Sequence, residues 1–315
     1  MILFLHNVKP EYAHRIETQT GDTVLQLGDF QPDEAGKVLA EAEIMIGFTA
    51  GLTQERLLAS PRLRWFHLLS AGVEQLAFED LKQRSIIVSN SSGIHGRQMA
   101  EQAFGMMLSV TRGLHRHWHH QHQKVWDQKV PVRELYGQTL VIVGAGHIGV
   151  EVARKARAFD MRVTGVKRTP QNLEYFDEVV GLHDLHKALA AGDFVLVLTP
   201  LTPDTFHLIG AEEFAQMKPS AVFMNYARGD VVDEAAMIDA LSSGQIAGLG
   251  LDVFHQEPLP ADSPLWTMDN VLLTPHTSGL SPSYTSRALD LFIANYHRYK
   301  EGKPLLTQVD LDRKY

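Results

Sequence analysis

Short apolar runs and amphipathic stretches alternate along the whole chain. In the first hundred residues the runs are Ile2–His6, Val24–Leu27, Ile44–Gly47, Trp65–Leu68 and Ile86–Ser89, each of strand length. Between them Glu11–Glu17, Asp33–Ala40 and Thr53–Ala59 carry helical spacing. Strands separated by helices imply parallel pairing and a sheet covered on both faces. From Arg97 to about His122 polar and apolar positions follow one long helical pattern, a helix able to bridge two domains. A second alternating series follows: Thr139–Val143, Arg162–Val166, Val179–Val180, Phe194–Thr199, Ala221–Asn225, Ala247–Asp252 and Val271–Thr274, with a last helix at Tyr284–Lys300. The pattern predicts an α/β protein with two doubly wound parallel-sheet domains, in line with a length of 315 residues.

One strand end carries a glycine turn. Leu140–Val143 runs directly into Gly144-Ala145-Gly146-His147-Ile148-Gly149, and Val150–Phe159 is helical. Strand, glycine turn and helix form the context in which this spacing points to a dinucleotide. The first glycine permits the tight turn, the second lets backbone approach a pyrophosphate, and the third packs helix on strand. The helix start adds free N–H groups and a positive dipole end. In NAD sites a carboxylate follows the next strand, ~20 residues on, and binds the ribose 2′-hydroxyl. Here Lys167-Arg168-Thr169 stands at that place, with no carboxylate. Two cations and a hydroxyl suit a 2′-phosphate, which favours NADP(H) over NAD(H). The alternative is a solvated charge pair at a strand end.

Three more strand ends carry chemistry. Arg228 follows Ala221–Asn225 and precedes Gly229, which suits a sharp turn. A guanidinium there can grip a carboxylate or polarise a carbonyl. Glu257 follows Ala247–Asp252, and His276 follows Val271–Thr274. A carboxylate beside an imidazole favours its protonated form and holds its orientation. Such a ring is an acid toward a carbonyl oxygen and a base in reverse. Each residue alone also fits a structural role; the three together at strand ends of one nucleotide-binding domain point to hydride and proton transfer.

Composition narrows the classes. With 44% hydrophobic and 21% charged residues the chain can bury real cores. A formal net charge of -8 without a basic stripe argues against nucleic acid as partner. The chain lacks cysteine, which removes disulfide and thiolate chemistry. No apolar run approaches the ~20 residues of a membrane helix, and Met1–His6 reads as a strand rather than a signal peptide, so a cytoplasmic protein without membrane contact is expected.

Taken in order, these segments resemble the D-isomer-specific 2-hydroxyacid dehydrogenases nearly end to end. Besides the glycine turn, the matching pieces are Ser70–Glu74, Asn90 with Gly93, Met99–Glu101, Leu198–Thr205, Asn225–Asp233, Asp252–Leu259 and Thr274–Gly279. The resemblance implies a flavodoxin-like substrate domain (1–98 with 281–315) flanking a Rossmann domain (99–280), a cleft between them, and a homodimer. It implies Arg228 as substrate binder, Glu257 as partner of His276, and His276 as proton donor and substrate contact. Backbone near Ala71, Gly72 and Val73 would receive the substrate carboxylate, Asp252 the nicotinamide amide, and Pro200, Thr205 and Ala227 would line the cofactor. Lys167-Arg168 replaces the acid of the NAD-dependent members, so the chain looks like the NADP-using glyoxylate/hydroxypyruvate reductases. Formate dehydrogenases of the superfamily carry glutamine where Glu257 stands. Two alternatives remain: an NAD-dependent dehydrogenase working oxidatively, and a dinucleotide-sensing binding protein like the C-terminal-binding-protein corepressors.

His115, His119 and His122 share one helical face at metal-ligand spacing. With no carboxylate or cysteine among them, a polar helix surface or subunit contact is the expectation, and no metal. Trp65, Trp118 and Trp126 are expected in the core or an interface. The side chain of the preferred oxo acid depends on the pocket near Phe48 and Leu69, which spacing does not determine.

Overall fold

The computed structural model describes residues 1–73 and 75–313, and among these eleven α-helices and twelve strands follow one another. Glu74, part of one matching segment, lies outside the described residues. Contacts divide the chain into two units, Met1–Ile94 with Ser281–Tyr315, and His95–Leu280.

In the first unit the strands are β1 (Ile2–Phe4), β2 (Val24–Gln26), β3 (Ile44–Gly47), β4 (Trp65–Leu68) and β5 (Ile87–Ser89). They pair in parallel in the order β2-β1-β3-β4-β5. The crossovers are α1 (Pro10–Thr20), α2 (Pro32–Glu41), α3 (Gln54–Leu58) and α4 (Phe78–Gln83). β1, β3 and β4 are buried on both faces, which is why their sequences are near-continuous apolar runs rather than alternating, with His67 in β4 the polar exception. Within α4, Phe78 and Leu81 are buried, but the helix is too short to show a period, and no helix was expected there. The terminal helix, residues 284–300, packs in this unit: Trp65 stacks on Phe292 with ring centroids 5.0 Å apart, and the Tyr296 hydroxyl donates to Asp22.

The second unit begins with α5 (Gly96–Thr111) and α6 (Leu114–Gln123). The expected single helix is thus broken. Gly113 turns left-handed (φ +62), and a Cβ there would lie 2.5 Å from Val130 Cγ1. A left-handed glycine is a common helix stop, and the returning chain at Val130 leaves no room for a side chain there. Seven parallel strands follow: β6 (Thr139–Val143), β7 (Arg162–Val166), β8 (Glu178–Val180), β9 (Phe194–Val197), β10 (Val222–Asn225), β11 (Gly248–Leu251) and β12 (Val271–Leu273). Their order is β12-β11-β10-β9-β6-β7-β8. The helices between them are α7 (His147–Ala158), α8 (Leu185–Ala191), α9 (Ala211–Gln216) and α10 (Glu234–Ser242), and the terminal helix is α11 (Tyr284–Lys300). Strand order reverses between β6 and β9, and at such a switch the ends of neighbouring strands open a crevice for ligands. No helix among the described residues is long and apolar enough to cross a membrane.

Candidate active site

The glycine turn has the shape its spacing implies. Gly144 sits at φ +102, and a Cβ there would lie 2.7 Å from the backbone of Leu198 and Thr199, so the turn is pressed against the end of β9. A Cβ on Gly149 would lie 3.2 Å from the Gly144 carbonyl and from Ile142, the close packing of helix on strand. Gly146 differs from both: a Cβ there would meet nothing within 4 Å. It caps α7, whose first-turn N–H groups have no helical acceptors. His147 is exposed and Ile148 half-buried beside it. An open cradle at the second glycine, walled by glycine packing on either side, fits a dinucleotide pyrophosphate.

Lys167 follows β7 and is half-buried, with its N–H donating to Val180, while Arg168 and Thr169 are exposed. The Arg168 guanidinium lies 3.8 Å from Asp204, on the loop after β9. On that loop Pro200 is exposed and Thr205 is buried. The Thr205 hydroxyl donates to the Pro200 carbonyl at 2.6 Å and accepts from Thr202 N–H, so it shapes the loop itself. Ala227 is buried at the end of β10.

His276 and Glu257 meet. His276 Nδ1 and Glu257 Oε2 are 2.7 Å apart, both side chains part-exposed. The other Glu257 oxygen accepts from Phe254 N–H at 3.1 Å, which ties the carboxylate to its own loop. His276 holds a left-handed backbone (φ +53), which costs a non-glycine residue roughly 1–3 kcal/mol. Its N–H donates to the carbonyls of Asp252 (2.8 Å) and Thr274 (3.0 Å), which secures that conformation.

Asp252 is the anchor beneath. It is fully buried. Its Oδ1 accepts from the Thr274 hydroxyl (2.6 Å), Gln102 Nε2 (3.1 Å), Thr277 N–H (2.9 Å) and Ser278 N–H (3.2 Å), and its Oδ2 from Ser278 (3.0 Å). A buried carboxylate is tolerable only with such donors, and here all but Gln102 belong to the turn that carries His276.

Arg228 is half-buried at the end of β10, its carbonyl accepting from Asn225 Nδ2. One guanidinium N–H donates to Ala227 O at 2.8 Å. Gly229 after it is not left-handed, so a sharp turn is not why glycine stands there. A Cβ would lie 2.0 Å from Phe254 O and 2.4 Å from His255 N. The missing side chain lets the Arg228 segment touch the segment that tethers Glu257. An Asp230–His255 hydrogen bond clamps the same two segments.

Sequence reasoning placed a helix from Arg97 but missed what the first turns of α5 hold in place. Gln98 donates to Gly279 O at 3.0 Å, Gln102 reaches Thr274 (2.6 Å) and Asp252, and His95 lies against Gly279. Burial, and then the Arg228 guanidinium, lower the His95 pKa to about 4, so a neutral ring sits beside that cation. Two glutamines four apart on a mostly apolar helix were the available signal; their partners lie 150 or more residues away. Burial first, then Asp252, raises the pKa of the Tyr226 hydroxyl, which therefore stays neutral.

In the first unit, Ala71, Gly72 and Val73 form the loop after β4. Asn90 Nδ2 donates to Ala71 O at 2.8 Å and the Ser70 hydroxyl to Gly72 O at 3.1 Å, which fixes the loop through its carbonyls. On α6, His115 bonds to Ser109 O and His119 to Gln123. No group of three or more His, Cys, Asp or Glu among the described residues is placed to hold a metal ion. Trp65 is in the core, whereas Trp118 and Trp126 are exposed.

Parallel sheets, a pyrophosphate cradle and an imidazole–carboxylate pair on one nucleotide-binding unit define a dinucleotide-dependent oxidoreductase. The sequence profile of the D-isomer specific 2-hydroxyacid dehydrogenase NAD binding domain matches residues 104–278. A glyoxylate reductase of Korarchaeum cryptofilum is 36% identical over 255 residues, 78% of this chain and 75% of that one. Glyoxylate/hydroxypyruvate reductase B of Citrobacter koseri is 34% identical over 285 residues, 87% of each. A D-isomer specific 2-hydroxyacid dehydrogenase from Xanthobacter autotrophicus, solved with NADPH and MES, superposes with a TM-score of 0.85 at 30% identity over 100% of this chain and 99% of that one. The chain belongs to the D-isomer-specific 2-hydroxyacid dehydrogenase family.

Proposed function

We propose that this protein reduces short 2-oxo acids of the glyoxylate/hydroxypyruvate type to D-2-hydroxy acids, with NADPH as the preferred cofactor. The observation that carries the reading is the 2.7 Å pairing of His276 with Glu257 in the unit that also bears Arg228 and the glycine turn. The named reductases among its relatives support the substrate class, and the NADPH-bound relative supports the cofactor.

Gly144, Gly146 and Gly149, with the first turn of α7, would hold the pyrophosphate, and Lys167, Arg168 and Thr169 a 2′-phosphate. Pro200, Thr205 and Ala227 would border the rest, and Asp252 the nicotinamide amide. When bound, the reduced nicotinamide supplies the hydride that ends on C2 of the oxo acid. Arg228 holds the carboxylate and polarises the carbonyl with its planar fork. The backbone of Ala71, Gly72 and Val73 receives the same carboxylate. His276 uses Nδ1 toward Glu257, so Nε2 is the nitrogen that gives its proton to the carbonyl oxygen. Glu257 stabilises the charged ring before transfer and fixes its tautomer after it. Asp252, Gln98 and Gln102 position the turn.

The protein is further proposed to be a cytoplasmic homodimer. Trp118, Val125, Trp126, Val132 and Tyr136 are large exposed apolar side chains within one stretch of the second unit, and a second copy would cover them. Sedimentation tests the dimer.

The test of function is steady-state kcat/KM for glyoxylate, hydroxypyruvate and pyruvate with NADPH and with NADH. Tight cofactor binding with negligible turnover would replace the enzyme with a dinucleotide-sensing binding protein. NADH preferred over NADPH would overturn the cofactor assignment.

A further inference from the structure

A cavity of about 380 Å³ opens in the first unit, among residues that no step above uses. It lies at a topological switch. The order β2-β1-β3-β4-β5 changes direction between β1 and β3, and ligands of parallel sheets settle outside the carboxyl ends of strands at that point. His6 follows β1, Phe48 follows β3 and Leu69 follows β4, and all three line the cavity. Lys9 and Tyr12 reach it from the start of α1, and Tyr284 from the start of α11.

The walls are of two kinds. Val8, Phe48, Leu69 and Pro282 are apolar. His6 packs against Phe48 with ring centroids 5.1 Å apart, and burial lowers its pKa, so its ring is neutral and offers one donor and one acceptor. Lys9 is the cation. Its ion pair with Glu11 spans 3.8 Å between exposed groups, which is worth little and leaves the ammonium able to turn to a ligand. Asn7 and Thr285 add an amide and a hydroxyl. The Tyr284 hydroxyl donates to Leu69 O at 2.6 Å, fixing one wall to the segment that continues through Ser70 into Ala71–Val73.

We propose that, beside the short acids, this protein takes longer 2-oxo acids whose side chain enters this cavity, and that among these it favours an apolar stem with a terminal carboxylate, as in a 2-oxo dicarboxylic acid. The proposal rests on the reading of Ala71–Val73 as the receptor of the reacting carboxylate. The volume falls within the ~300–1,000 Å³ of sites that enclose whole small molecules. A hydrogen or hydroxymethyl side chain would leave it nearly empty. A carbon stem would lie against Phe48, Val8 and Leu69, with the acid end on Lys9 and its neighbouring donors.

The experiment is kcat/KM with NADPH for glyoxylate, 2-oxovalerate, 2-oxoglutarate and 2-oxoadipate. The middle two share a chain length and differ in the terminal charge. The parent is expected to prefer 2-oxoglutarate over 2-oxovalerate by about tenfold or more, the range of one charge-assisted contact. Lys9→Met should collapse that ratio toward one, whereas Lys37→Met, on exposed α2 surface, should leave it as in the parent. If glyoxylate is reduced but 2-oxoglutarate holds no advantage, or if Lys9→Met leaves the ratio intact, the cavity assignment is overturned. If glyoxylate too is not reduced, the reaction itself is refuted and the proposal falls with it.

Discussion

Replacing Gly229 by alanine adds one methyl group, and the structure shows where it would go. The new Cβ would stand 2.0 Å from Phe254 O, 2.1 Å from its carbonyl carbon and 2.4 Å from His255 N. Cβ atoms do not approach heavy atoms closer than 3.0 Å, so the two backbone segments must part by at least about 1 Å. Neither obstacle is a side chain that can swing away. One segment carries Arg228; the other tethers Glu257 through the Phe254 N–H. A displacement of ~1 Å between groups that act together costs on the order of 10²-fold in rate, or ~2.7 kcal/mol of transition-state stabilisation. Overpacking adds roughly 1–3 kcal/mol of instability. The assay is kcat/KM for glyoxylate reduction, with NADPH affinity by fluorescence titration and a thermal melt alongside. Gly229→Ala should lose about 10²-fold in kcat/KM with NADPH affinity kept, because the glycine turn is a separate element. Gly105→Ala is the control: it lies inside α5 with nothing within 4 Å of the added Cβ, and should stabilise by about 0.5–1 kcal/mol with parental activity. A Gly229→Ala enzyme with parental kcat/KM and melting temperature would refute the close-approach argument.

Three further outcomes are expected. Arg168→Ala should weaken NADPH by about one to two powers of ten, the loss of one charge-assisted contact, and leave NADH nearly unchanged; equal losses for both would remove Arg168 from the 2′-phosphate site. Glu257→Gln keeps the shape but removes the charge facing His276 across 2.7 Å, so kcat/KM for reduction should fall by about one to two powers of ten, the loss of one charge-assisted contact, with NADPH affinity kept; parental kcat/KM would dissolve the pair. Burial lowers the His67 pKa to about 3 from an ordinary 6.5, so protonation favours the unfolded chain. Its contribution is complete above pH ~6.5 and is lost as pH falls toward ~3, at up to ~1.4 kcal/mol per unit. Urea unfolding between pH 7.5 and 4.5 should therefore show a shallower loss in His67→Gln than in the parent, and parallel losses would contradict it.

Much of the fold was legible because its signals are local. Buried strands show as short, mostly apolar runs, and β3, β4, β6 and β7 fall on the residues the pattern marks. The turn at Gly144–Gly149 needs glycine for its own backbone and for contacts with adjacent elements, so spacing within six residues was enough. The reacting side chains were visible as residue types at strand ends. What joins them was not, because the partners are distant in sequence. Gln102 meets Asp252 across 150 residues, and Tyr284 meets Leu69 across 215. Gly229 looked like a turn glycine and is instead a point where two backbones touch. The helix expected to run through His122 is interrupted at Gly113, a left-handed glycine packed under Val130. Periodicity reports what each segment buries and glycine spacing reports how the chain can bend. Only packing decides which distant carbonyl, carboxylate or methyl group each segment meets, and at Asp252 those meetings set the turn that carries His276.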